Sequence, residues 1–430
     1  MSSESMGRGS RAAVLRRQNL SAILKTVHVR GPLSRAELGT ECGLSRNTVG
    51  VLVTELVARR LVVELPPERL GFPGRPSPVV APDVNGVRVG AVEIGVEGLT
   101  VLVAGLGGAV HARDRVDWHG IVPTPEEVAN EVVALLSNLI ASQYAERKLA
   151  GVGVAVHGLV RRADGFVAFA PNLGWHNVPF GAVLQRRLPQ GVPVFVGNEA
   201  DLGALAEHMR GAGVGSQDSL YVGCEVGVGG GIISRGRPYE GVKGYAGEVG
   251  HMTINPVGHP CRCGSLGCWE TEVGEEALLR RIGPLGATAT KTLVEDVLRE
   301  ADAGDRRVLA GLDEHGRWVG IGLSGLANML NPDRIILGGL FSRMFPYVEE
   351  RIRWEMNHRC LEAVREQLEV VPAFLGPDSA VLGAAELALT EVLSDPWRLP
   401  RAGGRQSMSA IQTPAVADAV ARSSMKGLAS

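Results

Sequence analysis

Aromatic residues are scarce in this chain, 4% of 430, and no apolar run approaches the roughly 20 residues that a membrane helix needs. The amino terminus, MSSESMGRGSR, has no apolar segment behind its charges, so neither a secretory signal nor a membrane anchor is expected. Cysteine is also sparse, at six residues, and with no secretory signal a reducing, cytoplasmic setting is expected, which disfavours disulfides. A strong overall charge is missing too, since 44 Lys and Arg oppose 46 Asp and Glu. What the chain does have is glycine, 57 residues, and proline, 24, a composition of tight turns and of loops that approach a ligand closely. With 45% hydrophobic content it is long enough for two or three domains with proper cores.

The near-neutral total hides an uneven placement. Residues 1–60 hold ten Lys and Arg against four Glu, a net of +6, so the other 370 residues carry −8. A basic segment on an acidic body suggests a head that binds a polyanion. Within it, Leu20, Ile23, Leu24 and Val27 recur at helical spacing, Gly31-Pro32 breaks the chain, and Ser34 with Glu37 forms a capping box for a second helix. Gly43 supplies a turn, and Ser45 caps a third helix with Val49, Leu52, Val53, Leu56 and Val57 on its inner face. This is a helix-turn-helix pattern, and Ser45, Arg46, Asn47 and Thr48 at the start of the third helix are placed to meet phosphates and base edges in a major groove. Leu61–Leu65 and Val79–Val80 read as wing strands, and Gly74-Arg75-Pro76 between them is either a cationic finger for a minor groove or part of an interdomain linker.

From Gly86 onward the pattern becomes α/β. Residues 87–94, 98–104 and 109–116 form a predicted antiparallel meander, 126–145 a helix and 151–157 a buried strand. A second round follows with a strand at 193–196, a helix at 200–210, and strands at 219–223 and 231–234 around the run Gly227-Val228-Gly229-Gly230-Gly231, giving two lobes and a cleft. The densest chemistry lies in HMTINPVGHPCRCGSLGCWE, where His251, Cys261, Cys263 and Cys268 offer four ligands suited to a closed, structural tetrahedral zinc site. His259, two residues before Cys261, competes with His251 on spacing alone. Disulfides are the alternative, disfavoured by the reducing setting, and Cys42, Cys224 and Cys360 read as small core residues.

Glu248-Val249-Gly250-His251, followed by Cys261-x-Cys263-Gly264-x-x-Gly267-Cys268-x-Glu270, resembles the signature of the ROK family (repressors, open reading frames and sugar kinases). Ser34-Arg35-Ala36-Glu37-Leu38 and Gly74-Arg75-Pro76 are similar to the winged-helix head of its repressor branch, and the likeness runs from about residue 18 to 392. The resemblance implies a winged helix at 18–82, with Arg35 and Arg75 joining the DNA contacts, and a two-lobed actin-like, ribonuclease H-like body with lobes at 86–195 and 196–392. It also implies a sugar held by Asn172, Asn198, Glu199, Glu248, His251 and Glu270, with His251 preferred as metal ligand because its second ring nitrogen then faces the sugar. Residues 396–430 read as a disordered tail in which 415–421 can form a short helix.

Against the kinase members the chain departs at three places. The first phosphate loop is Glu93-Ile94-Gly95-Val96-Glu97, the second is Glu225-Val226-Gly227 without a threonine, and the catalytic aspartate position holds Glu199. Gly338-Gly339 matches the adenosine loop but also suits a plain turn. The expectation is therefore a cytoplasmic, dimeric or tetrameric, sugar-responsive regulator that binds operator DNA and is not an enzyme. An active sugar kinase with an added head, and a repressor governed by a transport-system protein, remain as alternatives.

Overall fold

The computed structural model describes residues 8–66, 78–118, 120, 122–143, 149–285 and 293–401. The head contains α1 (Arg8–Arg30), β1 (Leu33–Ser34), α2 (Arg35–Cys42), α3 (Arg46–Ala58), β2 (Val62–Leu65) and β3 (Val79–Pro82), its strands ordered β1-β3-β2. Each boundary has a local cause. The Ser34 hydroxyl accepts from the Glu37 N–H while the Glu37 carboxylate accepts from the Ser34 N–H at 2.7 Å, and α2 stops at Gly43 in the left-handed region. Leu20, Ile23, Leu24, Val27, Leu38, Val49, Leu52, Val53 and Leu56 form the head's core. Val57 departs from the expected inner face and is exposed, because it lies one residue from the end of α3, where the buried stripe has turned away. Helix α1 begins at Arg8, twelve residues ahead of Leu20, where the apolar repeat starts. The wing tip with Gly74, Arg75 and Pro76 lies outside the described residues.

The body is one topology built twice. The first sheet uses β4 (Arg88–Ile94), β5 (Gly98–Gly105), β6 (Val110–Asp117), β7 (Val152–Val156) and β11 (Val194–Asn198) in the order β6-β5-β4-β7-β11. Between these lie α4 (Pro125–Gln143), the small sheet β8 (Leu159–Arg161), β9 (Phe166–Ala170) and β10 (Trp175–Val178), and α5 (Phe180–Gln185). Then comes α6 (Glu199–Arg210). The second sheet repeats the plan with β12 (Ser219–Cys224), β13 (Val228–Ser234), β14 (Arg237–Pro238), β15 (Arg334–Gly339) and β16 (Glu369–Pro372), in the order β14-β13-β12-β15-β16. In each sheet an antiparallel meander gains two parallel strands on one side. Helices α7 (Glu270–Val273), α8 (Glu275–Ile282), α9 (Val294–Asp302), α10 (Arg306–Leu330), α11 (Leu340–Arg359) and α12 (Glu362–Arg365) cover the second lobe, and α13 (Ser379–Ser394) returns to the first. No described helix is long and apolar enough to cross a membrane.

The structure moves three of the sequence boundaries. All of the glycine run but Gly227 lies inside β13 instead of between strands, and there α6 crosses so closely that a Cβ on Gly231 would stand 2.5 Å from the Ala200 carbonyl oxygen. The division at 195/196 cuts β11, which pairs in parallel with β7 through Asn198, and α13 packs on β4 and β7 of the first sheet although it follows the second in sequence. Residues 396–401 are not a free tail: Trp397 lies under the Arg59 guanidinium at 4.3 Å, and Arg401 pairs with Glu55 of α3. The remainder of that segment, from 402, lies outside the described residues. Head, first lobe and α13 share one continuous hydrophobic core, running from Leu20 and Val80 to Val89, Leu102, Val381 and Leu389.

Candidate functional site

Asn172, Asn198, Glu199, Glu248, His251 and Glu270 all line one cleft between the lobes. Their elements explain the convergence. Asn198 and Glu199 stand where β11 passes into α6, at the carboxyl end of a parallel strand, Asn172 is in the turn after β9, and the other three flank the cysteine-rich loop of the second lobe. The Asn198 amide, however, is fully engaged. Its oxygen accepts from the Ala200 and Asp201 N–H groups at 2.8 and 3.1 Å, and its nitrogen donates to Gly158 O and to Glu199 Oε2 at 3.0 and 2.7 Å. It therefore caps α6 and aims Glu199, and in this arrangement has no group left for a ligand. Glu270 Oε2 accepts from the Val228 N–H at 2.9 Å, which ties the second glycine turn to the start of α7.

Four cleft residues were not singled out by the sequence as ligand-facing: Glu93, His157, Glu225 and Arg262. His157 ends β7 and lies 3.7 Å from both Glu93 and Glu199. Burial opposes its charge, but the Glu199, Glu93 and Glu225 carboxylates prevail and raise it to about 9. Burial pushes Glu199 and Glu225 above the usual carboxylate range, and with help from Glu199 and Glu270 it lifts Glu248 to about 7. Five glutamates, Glu93, Glu199, Glu225, Glu248 and Glu270, thus line the cleft together with His157. The signal for His157 was its position at the carboxyl end of a buried strand, where α/β sheets place their ligand contacts. Arg262, set between two cysteines, donates to Asn172 Oδ1 across the cleft at 2.8 Å and also pairs with Glu276.

His251, Cys261, Cys263 and Cys268 bring their ligand atoms within 4.8 Å of one another, a cluster able to hold a metal ion. The Cys263 and Cys268 sulfurs are 3.7 Å apart, close to the edge of about 3.8 Å that four thiolate-type ligands at 2.3 Å from one ion would define. His251 Nδ1 is 3.7 Å from the Cys261 sulfur, while Nε2 points to Glu248 at 3.8 Å, so one ring serves cluster and cleft. His259 is not part of the cluster. Burial pushes the Cys261 thiol up to about 12, a shift that a bound cation reverses.

In the head, Ser45, Arg46 and Asn47 are exposed at the start of α3 and Thr48 is half-buried. The Ser45 hydroxyl caps the helix by accepting from the Thr48 N–H and bonds the Thr48 hydroxyl at 2.9 Å. Arg35 donates to Glu64 of the wing at 2.8 Å, an ion pair that fixes α2 against β2.

The family profile described as ROK family matches residues 89–391. The chain belongs to the ROK family. The xylose repressor of Bacillus subtilis is 30% identical over 381 residues, covering 88% of this chain and 97% of that protein. The glucokinase of Halalkalibacterium halodurans is 32% identical over 316 residues, covering 69% of this chain and 94% of its own length. Among solved structures, a ROK family transcriptional regulator described as a homologue of the E. coli MLC protein superposes with a TM-score of 0.74 at 25% identity, covering 89% of this chain and 97% of that one. The repressor and the regulator each cover 88–89% of this chain, whereas the glucokinase covers 69%, a share close to the body alone.

Proposed function

We propose that this ROK protein is a sugar-responsive transcriptional regulator, a repressor of carbohydrate uptake or catabolism genes, which reads operator DNA with α3 and holds a monosaccharide in the cleft. The observation that carries the reading is the union, in one continuous core, of an exposed Ser45-Arg46-Asn47 face and a cleft lined by Asn172, Glu199, Glu248, His251 and Glu270. Rigid carboxylates suit neighbouring sugar hydroxyls, each oxygen accepting from a different O–H. Five carboxylates against one imidazolium, with Arg262 already paired, favour a neutral sugar over a phosphorylated one. The xylose repressors among the relatives make D-xylose the first probe.

The reading assigns zinc to the His251, Cys261, Cys263 and Cys268 cluster, as a closed structural ion that fixes the loop carrying Glu248 and Glu270. It assigns no phosphoryl transfer. Glu199, at the base position, is held by Asn198 and by His157, and Glu93 and Glu225 place negative charge where a nucleotide's phosphates would approach. Ser45, Arg46, Asn47 and Thr48 contact DNA, and Arg35 and Arg75 support or extend that contact. Since one helix-turn-helix covers one half-site, the chain acts as a homodimer or dimer of dimers.

The test pairs two measurements on the zinc-loaded protein. Operator fragments are selected from the source genome and titrated with and without D-xylose, D-glucose and their phosphates, and ADP release is followed with the same sugars and ATP. A neutral sugar that shifts operator affinity without ADP release is the expected result. Steady ADP release establishes the kinase alternative, and a response to a transport protein but to no sugar establishes the protein-governed one.

A further inference from the structure

Helices α6 and α13 are equivalent elements of the two repeats, each following the last parallel strand of its sheet, and they cross over to the opposite lobe. Both begin at the cleft: Glu199 and Ala200 of α6 and Ser379 and Ala380 of α13 line it. They are packed so closely that a Cβ on Gly383 would lie 1.9 Å from the Leu202 carbonyl oxygen. The buried Glu207 of α6 binds them further, accepting from the Leu375 N–H at 2.8 Å and from the Ser379 hydroxyl at 3.0 Å. The pair behaves as one stiff unit, since neither helix can slide without breaking these contacts.

The end of α6 and the middle of α13 meet a single residue of the head. His28, near the end of α1, is wholly buried. Gly107, in the turn between β5 and β6, donates its N–H to His28 Nδ1 at 3.0 Å, leaving Nε2 to carry the proton that Glu386 of α13 accepts at 2.7 Å. Arg210, the last residue of α6, donates to His28 O at 3.3 Å and pairs with the other oxygen of Glu386. Burial alone would raise Glu386, but His28 and Arg210 hold it below the usual carboxylate range. The network sits two turns along α13 from the cleft-lining Ser379, too far for a ligand in the cleft to touch.

We infer that His28, Arg210 and Glu386 form the joint through which a change in the cleft, carried by the α6–α13 pair, turns the DNA-reading head. These are positioning residues: they touch neither sugar nor DNA. The inference goes beyond the proposed function in naming the path, and a buried ion pair with a fixed histidine has the discrete geometry that a two-state joint needs.

Glu386→Gln tests it, because the amide keeps the shape and one acceptor while removing the charge that Arg210 pairs with. In the full zinc-loaded chain, calorimetry with D-xylose and D-glucose should give the wild-type sugar affinity within about twofold, while the ratio of operator affinities with and without sugar falls from about tenfold or more to about one. His28→Gln should lose the same ratio, and the double variant should lose no more than either single one, since members of one unit are not additive. A wild-type ratio in Glu386→Gln, or additive losses, overturns the inference and leaves the proposed function standing. If neither sugar binds the wild type, that choice of effector falls and scanning calorimetry decides the joint instead: head and body should unfold together in the wild type and separately in Glu386→Gln, and separate unfolding in both overturns it.

Discussion

The two lobes share a strand order and differ in what fills their corresponding turns. In the first, the turn between β4 and β5 is plain backbone, Gly95-Val96-Glu97, and the return from sheet to helix is made by Asn198 acting as a cap. In the second, the chain between β14 and α7 expands into the cysteine-rich loop, which has no regular strand but is laced by turn hydrogen bonds such as Cys261 N–H to Ser265 O at 2.8 Å and Trp269 N–H to Met252 O at 2.8 Å, with isolated bridges at Thr253–Cys268 and Pro260–Leu266. Within those turns the His251, Cys261, Cys263 and Cys268 ligand atoms lie within 4.8 Å of one another, so an ion held there would add a cross-link to the loop.

The most severe way to break this comparison is Cys268→Ser. The second lobe should lose its bound metal and on the order of 5 kcal/mol of stability, seen as loss of stoichiometric zinc by elemental analysis and a lower melting temperature. An unchanged melting curve would make the cluster incidental to the fold. A narrower cut is Glu248→Ala, which removes one carboxylate from the metal-ordered side and should weaken sugar binding about tenfold to a hundredfold by calorimetry, with operator affinity in the absence of sugar unchanged. If Asn172→Ala, on the other lobe, costs more than Glu248→Ala, the metal-ordered side is not the dominant grip. In the head, Arg46→Ala should reduce operator affinity about tenfold by titration and leave the sugar isotherm of both lobes intact.

The pH dependence belongs to the seam between lobes. His157 is raised from 6.5 to about 9 in the folded protein, so the stability it contributes is whole below about pH 6.5 and drains as the pH climbs to about 9. Thermal unfolding between pH 6 and 10 should show that loss, and His157→Gln should flatten it; a parallel slope in the variant would assign the dependence elsewhere. The smallest effect is expected from Arg262→Ala, which cuts the contact to Asn172 across an exposed edge and should cost about 0.5 kcal/mol of cleft closure, read as a less than threefold change in sugar affinity.

Much of the site was legible before any coordinates. The capping box at Ser34 and Glu37, the cap at Ser45 and the ligand set of the cysteine-rich loop are local patterns, decided within a few residues by hydrogen-bond and ligand chemistry, and the helices begin where those residues stand. Spacing alone left His251 and His259 open, and only the folded loop brings the His251 ring to Cys261. Asn198 was legible as a cleft residue, but not that its amide is used up, since the Nδ2 contact depends on Gly158, forty residues earlier in the chain. Arg262 was given no role by the sequence, and the fold carries its guanidinium across the cleft to Asn172.

By itself the sequence determined the head, the two-lobed α/β body and the three clustered cysteines, because periodicity, caps and spacing act over short stretches of chain, while the fold chose His251 over His259 as their companion. Tertiary structure alone decided that Glu93, Glu199 and Glu225 surround His157, that α13 returns to the first sheet, and that Trp397 and Arg401 reach back to α3. Those contacts join residues tens to hundreds of positions apart, and their energies come from burial and from charges brought together, which no local pattern records.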